Sequence, residues 1–253
     1  MLLAIDIGNT RIKAAVFEEN TLLEVLFFSK EALQKKVQSI LKTHPEITDL
    51  IVASVGEIGR EDFLMWDKRV KTHFVSHTTP FPFQNHYATP QTLGIDRMVL
   101  AAGAVLQFPN QNRLVIDAGT CITYDFVDAN DVYHGGAISP GIRLRYEALH
   151  QYTAKLPLLT IESMKQGDNH DTAPHLIGTT TQESIHSGVV NGVVNEIDGF
   201  INEYQAVFPN FIIILTGGDT DFLAKRLKNT IFANSNFLLE SLNQTYQYKI
   251  KND

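Results

Sequence analysis

Ile5-Asp6-Ile7-Gly8-Asn9-Thr10 follows an apolar run near the start of the chain, and Ile116-Asp117-Ala118-Gly119-Thr120 follows a second apolar run. Each stretch places an aspartate, a glycine and a threonine at a turn. Glycine lets the backbone approach an anion closely, threonine offers a hydroxyl, and aspartate can hold a hydrated metal ion. One such turn alone would be read as an ordinary hairpin, but two in corresponding positions indicate phosphate chemistry in a duplicated fold.

The segments around the two turns repeat one order of predicted elements. In each half, three β-type runs form a meander, and a helix and a further strand follow. We therefore predict an α/β fold of two related domains, residues 1–112 and 113–253, with a ligand-binding cleft between them. The predicted meander strands are 2–7, 12–17 and 22–28 in the first half, and 114–116, 122–127 and 132–137 in the second.

Composition limits the kinds of partner that the protein can have. Of its 253 residues, 44% are hydrophobic and 19% are charged, which is enough to form a core without disulfides. No apolar run approaches the ~18–20 residues of a membrane span, so we expect a cytoplasmic protein with no membrane contact. The net charge of -7 offers no broad cationic surface for a nucleic-acid backbone, and we expect no nucleic-acid partner.

The only cysteine, Cys121, excludes an internal disulfide and any zinc site built from several cysteines. We expect a reducing compartment and a buried, unreactive thiol. The apolar helix predicted over 92–107 contains the run 98–106, which is hydrophobic on all sides. Such a helix predicts either a homodimer interface or burial within one subunit.

Familiar nucleotide-binding motifs are absent from the sequence, which contains neither a P-loop nor the G-x-G-x-x-G fingerprint of dinucleotide-binding folds. The late stretch Thr216-Gly217-Gly218-Asp219 instead resembles the adenosine motif of the actin-like kinase superfamily. Taken alone, it could equally be a glycine turn that ends a buried strand.

Five motifs in a fixed order resemble type III pantothenate kinases. They are Asp-Ile-Gly-Asn-Thr from Asp6, Tyr-x-x-Pro-x-x-x-Gly-Ile-Asp-Arg from Tyr87, Asp-Ala-Gly-Thr-Cys-Ile-Thr from Asp117, Gly-Gly-Ala-Ile-Ser-Pro-Gly from Gly135, and Thr-Gly-Gly from Thr216. No single motif is specific, but chance is a poor explanation for all five in this order.

The resemblance implies a fold, an activity and a set of cofactors. The fold would be two duplicated RNase H-like domains of the actin-like ATPase type, each with a mixed five-stranded sheet flanked by helices and with the active site in the cleft. The activity would be ATP-dependent phosphorylation of pantothenate to 4'-phosphopantothenate, the first step of coenzyme A biosynthesis. The implied cofactors are Mg²⁺ with ATP and a monovalent cation, K⁺ or NH₄⁺, and the implied assembly is a homodimer.

The resemblance also assigns roles to individual residues. Asp96 would be the proton acceptor, Asp117 the ligand of the monovalent cation, and Gly135 to Gly141 a glycine-rich loop that lines the site. The implied ATP-binding residues are Asp6, Ile7, Gly8, Asn9, Thr10, Arg11, Ile12, Lys13 and Thr120, and the implied pantothenate-binding residues are Tyr87, Gly94, Ile95, Asp96, Arg97 and Thr181.

These roles fit the chemistry of phosphoryl transfer, which depends on positioning, charge neutralisation and a group that orients the attacking hydroxyl. Asp96 would orient the hydroxyl, and Arg97 would face the substrate carboxylate or phosphoryl charge. The alternative for this pair is a surface ion pair at the start of a helix.

Two other functions stay open at this point. A sugar or acetate kinase of the same superfamily would keep the fold and the ATP site but use another acceptor. A catalytically idle accessory regulator is the second alternative, and the acidic and basic residues that the chain carries at Asp6, Asp96, Arg97 and Asp117 argue against it.

Overall fold

The computed structural model describes residues 1–56, 58–166, 174–208 and 210–252, which form two β-sheets and their flanking helices. The strands are β1 (Leu2–Ile7), β2 (Ile12–Glu18), β3 (Thr21–Phe28), β4 (Asp49–Ser54), β5 (Lys71–Phe74), β6 (Gln84–Asn85), β7 (Asn112–Ala118), β8 (Cys121–Val127), β9 (Val132–Pro140), β10 (Phe211–Thr216) and β11 (Phe232–Ala233). The helices are α1 (Leu33–Thr43), α2 (Ile95–Gln107), α3 (Ile142–Gln151), α4 (Thr181–His186), α5 (Gly192–Val207), α6 (Thr220–Ala224) and α7 (Phe237–Asn252).

The first sheet has five strands in the order β3-β2-β1-β4-β5. Strands β1 to β3 are antiparallel neighbours, whereas β4 pairs in parallel with β1 and β5 in parallel with β4. Helix α1 contributes Leu33, Val37, Ile40 and Leu41, one apolar face at helical spacing, to the core beside this sheet. The sheet therefore has the predicted mixed, five-stranded form.

The second sheet repeats this order and adds one strand. Its order is β11-β10-β7-β8-β9-β6, so β9-β8-β7-β10-β11 corresponds to the five strands of the first sheet. The additional strand β6 pairs in parallel with β9 through Gln84–Val132 and Asn85–Tyr133. The prediction of five strands misses β6, because a two-residue strand is too short to leave a periodic pattern in the sequence.

The chain forms two compact units. The first comprises Met1–Arg113, Asp125–Gly135 and Asn236–Asp253, and the second comprises Leu114–Tyr124 and Gly136–Ser235. A domain boundary at residues 112 and 113 stays a prediction.

In the first unit, α2 packs against α7, and the whole run from Ile95 to Val105 is buried apart from Asp96. Gly103 allows this close packing, since a Cβ there would overlap the side chain of Ser241. The apolar character of α2 is thus explained by burial within one chain, and it supplies no argument for a dimer.

Two segments form irregular helical turns, and one local prediction differs from the structure. Residues Arg60–Trp66 form a 3₁₀ helix. A π-helical turn, Ser187–Asn191, lies between α4 and α5. The thiol of Cys121, predicted to be buried, is exposed because it lies at the first position of β8, directly after the turn. In the described ranges, no helix is both long and apolar enough to cross a membrane.

Candidate functional site

The first predicted phosphate turn is a tight hairpin between β1 and β2. Ile7 pairs with Ile12, so residues 8–11 form the connection, and Asn9, Thr10 and Arg11 are exposed there. Asp6 and Lys13 lie directly opposite each other in the antiparallel pair, which places both side chains on the same face of the sheet. Asp6 is buried and Lys13 is half-buried. The hairpin therefore presents exposed polar groups at its tip and an acid and a base at its foot.

Asp96 lies in the first turn of α2, which begins at Ile95. Its Oδ1 accepts a hydrogen bond from the backbone N–H of Arg97 at 2.8 Å. Gly94 precedes the helix and leaves room for the carboxylate, since a Cβ there would overlap Asp96 Oδ1. Burial raises the pKa of the Asp96 carboxyl above its usual value, although the backbone N–H and the charge of Arg97 act in the opposite direction. A carboxyl with a raised pKa is better matched to accepting a proton near neutral pH.

The side chain of Arg97 is buried and paired with Asp125 on β8. Its Nε lies 2.9 Å and 3.2 Å from the two carboxylate oxygens of Asp125, which is itself fully buried. Tyr133 on β9 donates its hydroxyl to Asp125 Oδ1 at 2.6 Å. Burial would lower the pKa of Arg97, but the hydrogen bond and the charge of Asp125 outweigh it, and the net pKa is raised. The alternative prediction of a surface ion pair between Asp96 and Arg97 is therefore wrong.

One donor of Arg97 remains poorly satisfied. Its Nη2 lies 2.7 Å from Asp125 Oδ1, yet it is buried and makes no well-aligned hydrogen bond with any of the residues that the structure describes. Charge attraction acts at this distance whatever the orientation, whereas a hydrogen bond requires that the N–H point at its acceptor.

Tyr87 completes this cluster in the first unit. The guanidinium of Arg97 lies 5.7 Å from the centre of the Tyr87 ring, and the rings of Tyr87 and Tyr133 are 6.3 Å apart. A cation over an aromatic face is attracted to it and is held in place. The structure thus places Tyr87 next to the stretch Gly94–Arg97, as the sequence predicts.

Asp125 and Tyr133 belong to this cluster but were not among the predicted site residues. A signal for Asp125 exists in the sequence, because it is an acid within the apolar strand segment Tyr124-Asp125-Phe126-Val127. A carboxylate in a buried strand needs a partner. The sequence does not show which cation that partner is.

The second predicted turn lies in the second unit, between β7 and β8. Asp117 is half-buried, and Gly217 from the Thr-Gly-Gly stretch packs beside it. Gly217 has a φ of +102°, and a Cβ there would lie 2.5 Å from Asp117 Oδ1 and would also overlap the carbonyl of Ala118. Only glycine fits this backbone and this contact. Two of the predicted motifs therefore meet at the Asp117 carboxylate.

The Asp117 carboxylate could contribute one oxygen ligand to a cation. Across residues 1–56, 58–166, 174–208 and 210–252, no group of three or more His, Cys, Asp and Glu could hold a metal ion. One carboxylate next to a turn rich in carbonyl and hydroxyl oxygens provides hard oxygen donors without a large negative charge.

A backbone hydrogen bond links Thr120 to Gly141. Gly141 donates its N–H to Thr120 O at 3.0 Å, and a Cβ at Gly141 would overlap the carbonyl oxygens of Gly119 and Thr120. The glycine-rich stretch after Gly135 therefore forms the end of β9 and leads into α3. Its last residue, Gly141, packs against the turn between β7 and β8. Thr181 is the exposed first residue of α4, and the Thr180 hydroxyl caps this helix.

Solved structures with the same fold include several kinases. A proposed Baf family transcriptional activator from Campylobacter jejuni aligns with a TM-score of 0.62 and 20% identity, over 98% of this chain and 99% of that chain. A glucokinase from an Antarctic psychrotroph aligns with a TM-score of 0.54 and 12% identity, over 98% of both chains. At these identities the likeness shows the fold alone, which is the predicted actin-like kinase fold.

Sequence relatives are much closer. The family described as Type III pantothenate kinase matches residues 2–203. A type III pantothenate kinase from Flavobacterium johnsoniae is 65% identical over the full length of both chains. One from Christiangramia forsetii is 46% identical over 96% of each chain. Together with the five motifs and the two clusters around Asp96 and Asp117, these matches show that the chain belongs to the type III pantothenate kinase family.

Proposed function

We propose that the protein transfers the γ-phosphoryl group of ATP to the primary hydroxyl of pantothenate, producing 4'-phosphopantothenate and ADP in the first step of coenzyme A biosynthesis. The observation that carries this proposal is Asp96, a half-buried carboxylate with a raised pKa at the start of α2, beside the ordered guanidinium of Arg97. Asp96 Oδ1 accepts the backbone N–H of Arg97, and the half-buried carboxylate would offer its other oxygen to a substrate hydroxyl.

Asp96 would accept or orient the hydroxyl proton as the oxygen approaches the γ-phosphorus. A carboxylate in reach of the attacking hydroxyl is the usual device of phosphoryl transfer. Arg97 would provide positive charge beside the pantothenate carboxylate or the developing phosphoryl charge. Asp125 and Tyr133 would fix the guanidinium for this task. Tyr87 and Thr181 are proposed as further pantothenate contacts.

The phosphates of ATP would be bound by the hairpin from Asp6 to Lys13 and by Thr120. Kinases use ATP with a divalent metal, and we propose Mg²⁺ for this chain. We further propose that Asp117 holds a monovalent cation, K⁺ or NH₄⁺. A bound cation offsets part of the negative charge of the triphosphate, which an acidic protein cannot do with its net charge of -7.

A homodimer and a cytoplasmic location are proposed from family membership alone. The apolar surface of α2 is buried within one chain and does not support a dimer. A direct measurement of mass in solution tests this proposal.

The decisive experiment compares acceptors. ADP release should be measured with pantothenate, glucose, N-acetylglucosamine and acetate as alternative substrates, each with and without K⁺ or NH₄⁺. We expect ADP release with pantothenate and with none of the other three acceptors, and we expect K⁺ or NH₄⁺ to increase it. Phosphorylation of a sugar or acetate in preference would replace the proposed substrate, and the absence of ADP release with every acceptor would indicate an idle regulator.

A further inference from the structure

A four-residue polar cluster in the second unit is centred on Glu196 of α5. Its Oε1 accepts hydrogen bonds from the hydroxyls of Ser139 at 2.5 Å and Tyr124 at 3.0 Å. Its Oε2 accepts one from Arg145 Nη2 at 2.6 Å. The donors come from β9, β8 and α3, so one carboxylate joins three elements to α5. No sequence motif points to this residue.

The cluster is a strong one because the carboxylate is charged and its bonds are short. Burial would raise the pKa of Glu196, but the hydrogen bonds from Arg145, Ser139 and Tyr124 outweigh it, and the pKa is lowered. Hydrogen bonds to an ionised group are shorter and roughly twice as strong as neutral ones. Glu196 is a quarter exposed, so its carboxylate does not belong to the buried apolar core.

Through Arg145, Glu196 is connected to the second predicted turn, the one between β7 and β8 that contains Thr120. Arg145 also donates through Nε to Pro140 O at 2.8 Å, and its backbone N–H bonds to Gly141 O at 3.1 Å. Gly141 in turn donates to Thr120 O and packs against that turn without room for a Cβ. A short chain of contacts therefore runs from Glu196 through the segment 139–141 to Thr120.

We infer that Glu196, acting with Arg145, is a positioning residue that holds the segment 139–141 against the turn carrying Thr120 and so fixes the phosphate contact of the second unit. This inference rests on the proposed ATP contact at Thr120. Glu196 does not touch substrate in this scheme. It acts because a contact to a transferring phosphate loses much of its value when its backbone shifts by a fraction of an ångström.

The test is a double-mutant cycle between Glu196→Gln and Thr120→Ala. Gln keeps the size of Glu196 but loses its charge and one acceptor. We expect E196Q to raise the KM for ATP by roughly tenfold, with a smaller change in the KM for pantothenate, because misplacement of a positioning contact costs up to about a hundredfold. Since both residues act through one contact, the double variant should be no worse than the poorer single variant.

The control is Glu203→Gln, an exposed glutamate on the same helix, which should leave both KM values unchanged. A melting curve on each variant separates misplacement from unfolding. If E196Q does not fold, Ser139→Ala removes the 2.5 Å hydrogen bond alone and should raise the KM for ATP in the same direction.

The outcomes are distinct. A raised KM for ATP in T120A with no change in E196Q, or multiplicative effects in the double variant, overturns the positioning role and leaves the proposed function intact. An unchanged KM for ATP in T120A removes the proposed ATP contact and the inference with it, even where the enzyme phosphorylates pantothenate.

Discussion

The Nε–H of Arg97 reaches both carboxylate oxygens of Asp125, at 2.9 Å and 3.2 Å, and both side chains are buried. Two consecutive residues on a helix point about 100° apart, so Asp96 and Arg97 cannot both face the same neighbour. Arg97 turns toward Asp125 while Asp96 stays half-buried. Because the guanidinium of Arg97 is directed toward Asp125, its charge does not outweigh burial, and the pKa of the Asp96 carboxyl is raised.

We predict that Asp125→Asn lowers the free energy of unfolding by roughly 3–5 kcal/mol, because removing one partner leaves a buried charge uncompensated. The matched control is Asp131→Asn. Asp131 also pairs with a buried arginine, Arg113, at 2.8 Å, but it is 41% exposed and Arg113 donates to two backbone carbonyls as well. That substitution should cost only ~0–1 kcal/mol.

Urea denaturation of the two variants measures both values. Equal losses of stability would show that burial does not decide the strength of the Asp125 pair. Should D125N not fold, Tyr133→Phe removes a single hydrogen bond to Asp125 and should cost ~1 kcal/mol.

The arrangement of strands follows directly from the sequence, whereas the pairing of charges does not. The meanders of both halves and the turn at Asp6 were predictable, since alternation and glycine turns are local signals. The partner of Arg97 lies on a different strand, and β6 pairs with β9 although it is only two residues long. Glu196 belongs to none of the motifs identified in the sequence. These features depend on which elements meet in space, and local sequence carries no record of that.

The monovalent cation gives a further prediction. Asp117→Asn should raise the concentration of K⁺ or NH₄⁺ needed for half-maximal activity by roughly tenfold or more, the scale on which a lost partner weakens metal affinity. Activity titrated against each cation at saturating ATP measures this. Asp221→Asn, an exposed acid in the same unit, is the control and should leave the titration unchanged. Full activity of the unmodified protein in buffer containing only Na⁺ would remove the proposed role of Asp117.

The raised pKa of Asp96 predicts the pH dependence of catalysis. A proton acceptor must be ionised, so activity is present above the pKa of Asp96 and is lost as the pH falls through it. Because burial raises this pKa, the acid limb of kcat/KM for pantothenate should lie above pH ~4, the usual value for an aspartate. Melting curves across the same pH range separate protonation from acid unfolding. An acid limb at or below pH ~4 would contradict the desolvated carboxylate.

The sharpest prediction concerns Asp96 itself. Asp96→Asn keeps the volume of the side chain and can still accept the hydrogen bond from the Arg97 N–H, but it cannot take a proton. We therefore expect kcat to fall by ~10²–10⁴-fold, the usual contribution of a general base.

Binding and folding should survive this substitution, because neither the hairpin from Asp6 to Lys13 nor the Arg97–Asp125 pair is altered. Calorimetric titration with ATP should give an unchanged affinity, and the melting temperature should not fall, since the variant no longer carries a desolvated charge at this position. Arg97→Lys is the useful companion variant. It keeps the positive charge but loses the planar fork that meets Asp125, so it should weaken pantothenate binding more than it slows turnover. A variant D96N with near-normal kcat would show that the proton leaves by another route and that Asp96 only orients the hydroxyl or caps the helix.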